Sequence, residues 1–132
     1  MKLLHQVIGI MVVVIFLLTG QYMRRYYPHM EGVSDGTRML LRSRHIYILL
    51  AGLLNLGIGT YFSYRKQRWR KVLQLTGSVL LLLAPFLLLA AFFYEPPLAN
   101  LQRTFSQPAI ISMLVGTLFH LLSGVKQSND ER

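Results

Sequence analysis

The sequence predicts an all-α integral membrane protein, a four-helix bundle of transmembrane helices in antiparallel up-down arrangement, and three observations carry that reading. None of the 19 charged residues falls in residues 3–23, 45–64, 72–94 or 104–125, which leaves 86 of 132 positions free of charge. Those stretches are 21, 20, 23 and 22 residues long. A helix rising about 1.5 Å per residue needs about 20 residues to cross a hydrocarbon layer of roughly 30 Å. Aromatic residues also gather at the ends of the stretches: Tyr22, Tyr26 and Tyr27 around the end of the first, Tyr61 and Tyr64 closing the second, Tyr94 closing the third. Rings that are apolar at one end and wet at the other favour the membrane interface. The chain reads as a single membrane domain over 1–132, because the connections leave no room for a second core.

Helix 1 is expected over about residues 3–22. Lys2 before an apolar run resembles the start of a secretory leader, whose apolar region is only about 7–15 residues and ends at a small-residue cleavage site. This run is longer and Thr19-Gly20-Gln21-Tyr22 offers no such site, so the helix is expected to be retained. Helix 2 is expected over about 45–64. Ser34-Asp35-Gly36 has the look of a helix start, so this helix should begin near residue 35 and project beyond the membrane. The connection 65–71 is short and basic, which folds helices 2 and 3 into an antiparallel hairpin. Helix 3 is expected over 72–94, stopped by Pro96-Pro97. Within it Pro85 has no N–H to offer the Leu81 carbonyl, which predicts a kink. Ser106-Gln107-Pro108 then opens helix 4, expected over about 108–125.

Four spans place both termini on one side of the membrane. Eight basic residues fall on that side (Lys2, the five of 65–71, Lys126 and Arg132) against six on the other. With the compact basic run between helices 2 and 3, this predicts cytoplasmic termini. The small size predicts a bacterial inner membrane. A net charge of +9 would suggest nucleic acid in a soluble chain, but here the basic residues flank apolar spans, where they meet anionic headgroups. Nucleic acid is therefore not an expected partner. The absence of cysteine excludes disulfides, thiolate metal sites and cysteine nucleophiles.

Because lipid tails are as apolar as leucine, helices associate in a bilayer through small residues and interhelical hydrogen bonds. Inward stripes are therefore sought in small and polar residues. These are His5, Gly9, Val13, Phe16 and Gly20 on helix 1, and His45, Gly52, Asn55, Gly59 and Ser63 on helix 2. Gln74, Gly77, Ser78 and Pro85 mark helix 3, and Ala109, Ser112, Gly116, His120 and Ser123 mark helix 4. Gly52, Asn55, Gly59, Pro85 and Gly116 are the packing or path-lining candidates, and Asn55 should hydrogen-bond a neighbouring helix.

His5 and His120 fall at similar depth from the same end, as two ligands of haem b would. Arg38, Arg42 and His45 recur on one helical face and suit a phosphate or an anionic headgroup. No carboxylate lies within a span and no hydrolase, phosphate-loop or dinucleotide motif occurs. The expected function is accordingly non-enzymatic: an accessory membrane subunit that binds lipid, a membrane-protein partner or another copy of itself. A haem- or quinone-linked electron carrier and a small channel or exporter are the alternatives, and the first reading rests partly on the expectation that no charge is buried.

Overall fold

The computed structural model describes residues 1–27, 31–95 and 103–124. They form four helices, α1 (Lys2–Tyr26), α2 (Asp35–Tyr61), α3 (Arg68–Tyr94) and α4 (Ser106–Gly124). His29, Pro96, Pro97, Lys126 and Arg132 lie outside the described residues.

The helices differ from the uncharged stretches for local reasons. α1 continues through Arg24 and Arg25, cations that favour the negative end of a helix dipole. α2 begins at Asp35, where the Ser34 hydroxyl accepts the Thr37 N–H at 3.4 Å and an acid occupies the first turn. It stops at Tyr61, short of residue 64, because Phe62 turns to an extended conformation. Gln74 braces the turn that follows: its amide donates to the Ser63 carbonyl at 2.7 Å and its oxygen accepts the Arg65 N–H at 3.4 Å. α3 starts inside the basic run at Arg68, and α4 starts at Ser106, two residues before the expected position.

Cross-helix contacts fix the antiparallel order. Along α1 and α2, Gly59 faces Gln6, Gly9 faces Leu56 and Gly20 faces His45. Between α2 and α3, Ser63 meets Gln74, Asn55 meets Leu81 and Arg44 meets Glu95. α1 packs closely along α2 and α3 along α4, and the two pairs join chiefly through α2 and α3. The closest approaches use glycine. A Cβ on Gly77 would lie 2.8 Å from the Gly116 carbonyl oxygen, and one on Gly116 would lie 2.9 Å from that of Gly77. A Cβ on Gly59 would lie 2.9 Å from the backbone nitrogen of Gln6. Such contacts bring backbone against backbone, which supplies packing where burial alone cannot.

The outer faces are apolar, with Leu3, Ile10 and Leu17 of α1, Leu53 of α2, Leu83 of α3 and Leu114 of α4 all exposed. α1, α3 and α4 are long and apolar enough to cross a membrane. The expectation of four such helices is thus met by three. α2 is not among them; it carries Arg38, Arg42, Arg44 and Asn55.

The inward stripes of α3 and α4 follow the expected residues, except that His120 and Ser112 are half-buried. On α1 the buried residues are His5, Gly9, Val12 and Thr19, while the expected Val13, Phe16 and Gly20 are half-buried. On α2 the stripe is Leu40, Leu41, Arg44, Ile48, Ala51, Gly52, Asn55 and Gly59. His45 sits at its edge, and Ser63 is exposed beyond the end of the helix.

Candidate functional site

Two polar clusters divide the inward seam. At the end where α2 begins, Arg44 and Glu95 are each 1% exposed. Arg44 Nε donates to Glu95 Oε2 at 2.5 Å and Nη2 pairs with the same oxygen. Glu95 Oε1 accepts the N–H groups of Phe105 and Ser106 at 2.7 and 2.9 Å. One carboxylate therefore joins α2, the end of α3 and the start of α4, and satisfies amides that a helix N-terminus leaves unpaired. Burial pushes the Glu95 carboxyl upward, but the Ser106 and Phe105 amides and the Arg44 guanidinium outweigh it and hold it below the ordinary range. The expectation that no charge is buried is overturned. Arg44 stands eleven residues, about three turns, before Asn55, so the face that turns Asn55 inward turns Arg44 inward too.

Arg38, Arg42 and His45 have different surroundings. Arg38 bonds the Val33 carbonyl at 3.3 Å and lies 3.8 Å from Asp35, while Arg42 is exposed. His45 turns instead to α1, where its Nδ1 bonds Thr19 Oγ1 at 3.0 Å and its ring stacks on Phe16 at 4.1 Å. The arginine with the most specific environment is Arg44, which sequence spacing had placed among the flanking charges.

The second cluster lies toward the basic end. Asn55 Nδ2 donates to the Ala51 and Leu81 carbonyls at 2.9 and 3.0 Å. With both amide hydrogens used, Asn55 Oδ1 is the acceptor facing His5 Nδ1 at 2.7 Å. His5 therefore carries its proton on Nδ1. Its Nε2 is a buried acceptor with no partner among the described residues. Beside it, His120 Nε2 bonds Ser78 Oγ at 3.0 Å. The His5 and His120 ring centroids are 6.0 Å apart with planes at 84°, and the Phe62 ring lies 6.0 Å from each. The structure thus brings the two histidines together, although not in a haem-ligating arrangement. A shared iron needs both rings aimed at one point with a flat macrocycle between them. Here Ser78 engages His120 Nε2 and Phe62 packs against both rings. Among the described residues no group of three or more metal-ligating side chains occurs.

Next to His120 the helices part. Between α2 and α4 lies a cleft of about 400 Å³, floored by Leu53, Leu54, Gly57, Ile58 and Leu121. That volume is in the range of small-molecule sites, roughly 300–1,000 Å³. A Cβ on Gly57 would meet nothing within 4 Å, so this glycine opens onto free space. Apart from Thr117, the polar lining residues gather toward the basic end: Tyr61, Ser63, Arg65, Gln74, His120 and Ser123. Gln74 and Ser123 spend their hydrogen bonds on the backbone, to Ser63 and His120 respectively. Sequence spacing could not reveal the cleft, because it follows from how far α4 stands from α2. The chain matches no protein-family model, no curated protein and no solved structure.

Proposed function

We propose that this chain is a multi-pass membrane protein that works by binding, and that its α2–α4 cleft takes up a lipid-like molecule from the bilayer. The observation that carries this reading is the cleft itself, apolar along most of its length and with all its polar lining residues but Thr117 gathered toward one end. A lipid has the same division.

In this reading all four helices cross the membrane as one bundle, including α2. Composition understates α2, because its costliest residues never meet lipid: Arg44 is paired with Glu95 and Asn55 is bonded to α3. Its outward residues Ile46, Leu50 and Leu53 are apolar and exposed. The basic end, with Lys2 and the α2–α3 turn, faces the cytoplasm. Accessory service to another membrane protein is compatible with the same surface, since a lipid in the cleft would widen the face that α2 and α4 offer.

The test is photolabelling in reconstituted bilayers with a lipid that carries a diazirine on its acyl chain. Labels should concentrate on 53–58 and 117–121. Even labelling over the outward faces of α1 and α3 would remove the reading.

A further inference from the structure

We infer that the molecule taken up by the cleft is an anionic glycerophospholipid, its headgroup phosphate held by Arg65 at the mouth. This rests on the lipid-binding reading above and adds the charge of the occupant. Arg65 lines the cleft at its polar end. Its Nη2 would lie 3.3 Å from a Cβ on Gly124, which puts the guanidinium beside the last turn of α4. Its Nε is buried and has no hydrogen-bond partner among the described residues. One arginine thus bridges the α2–α3 turn and the end of α4 across the mouth, with donor capacity left over. A guanidinium offers five N–H donors in a fixed fork that suits a phosphate.

Among the described residues, the charged side chains at this end have one sign. Lys2, Lys66, Arg68, Arg70 and Lys71 share this end with Arg65, while Glu31, Asp35 and Glu95, the carboxylates among the described residues, all belong to the opposite end. Nothing described at the basic end neutralises these cations except what binds there. Arg70 lies over the Trp69 ring at 5.2 Å, and Trp69 is exposed, so an amphipathic ring stands at the same basic end of the bundle. A zwitterionic lipid would satisfy the tail slot but would bring its own cation to this field. An anionic one satisfies both.

Native mass spectrometry of the delipidated protein in detergent, titrated with phosphatidylglycerol or phosphatidylcholine of matched chains, tests this. The wild type should favour phosphatidylglycerol about fivefold, equivalent to about 1 kcal/mol. Arg65→Gln should abolish the preference and keep tail binding, and Arg65→Lys should retain part of it. Gly57→Leu, whose Cβ would meet nothing within 4 Å and whose side chain would project into the cleft, should reduce binding of both lipids. Equal affinity of the wild type for the two lipids overturns the inference while leaving the lipid reading intact. Unchanged binding by a folded Gly57→Leu variant overturns the reading itself. Inorganic phosphate binding as tightly as phosphatidylglycerol would show a phosphate site that owes nothing to the lipid tails, and would also overturn the inference.

Discussion

Asn55 donates a hydrogen bond to the carbonyl of Leu81 at 3.0 Å, and Leu81 is the residue whose helical donor is missing because Pro85 stands four positions on. A side chain of α2 thereby replaces a backbone bond of α3. The same amide holds His5 of α1, so three helices converge on one residue. The proline is tolerated because a neighbouring helix supplies what it withholds.

Asn55→Ala should therefore destabilise the protein by about 1–3 kcal/mol, since it strands both the Leu81 carbonyl and the His5 Nδ1–H in an apolar interior. Pro85→Ala restores an N–H for Leu81, so Asn55→Ala should cost less in that background. Unfolding titrations in mixed micelles on the four members of this cycle would measure the difference. Strict additivity would mean that Asn55 does not act through the carbonyl.

Glu95 makes stability depend on acid. Its carboxyl is held below the ordinary value of 4.5 in the folded chain, so the folded state favours the charged form. That contribution is full above pH 4.5 and is lost as pH falls through the lowered value. The wild type should thus unfold more readily below about pH 4, and Glu95→Gln should lose this dependence. At neutral pH Glu95→Gln should cost about 3–5 kcal/mol, because it leaves Arg44 buried without a counter-charge. Thermal unfolding followed by circular dichroism from pH 3 to 8 reads both effects. A variant that keeps the acid transition of the wild type would transfer it to another group.

The uncharged stretches and the positions of His5, Gly52, Asn55, Gly59, Gly77 and Gly116 were readable because each follows from local chemistry. A charge cannot sit cheaply in oil, and a glycine or amide at helical spacing marks a contact face. The Arg44–Glu95 pair was harder to see. Its partners are 51 residues apart, and each stands at the end of an uncharged stretch, where a cation or an acid is ordinarily solvated. Only the shared face of Arg44 and Asn55 pointed inward. His45 misled for a related reason, because a period places a residue at the edge of a stripe without deciding which neighbour it meets. The cleft depends on the spacing of two helices that are not consecutive, which no local pattern records.

The two histidines also allow an optical check. With His120 Nε2 on Ser78 and Phe62 packed against both rings, the protein expressed with ample haem precursor should purify without a Soret band. A stoichiometric band that both His5→Ala and His120→Ala abolish would instead assign axial ligation to this pair and displace the lipid-binding reading.

Two glycines on α2, separated by two positions, should respond to the same substitution with opposite signs. Gly57 opens onto the cleft and a Cβ there meets nothing, so Gly57→Ala should gain the helix propensity of alanine, up to about 1 kcal/mol. Gly59 faces α1, where a Cβ would stand 2.8 Å from Gln6 Cγ and 2.9 Å from the Gln6 backbone nitrogen. The side chain could move aside, but the backbone could not without separating the helices. Gly59→Ala should therefore lose about 1–3 kcal/mol despite the same gain in propensity. Gly116→Ala, set against the Gly77 carbonyl at 2.9 Å, should behave like Gly59→Ala. Unfolding of the three variants in one micelle system makes the comparison direct. Equal changes at Gly57 and Gly59 would show that propensity, not backbone contact, governs this helix, and the close α1–α2 interface would have to be abandoned.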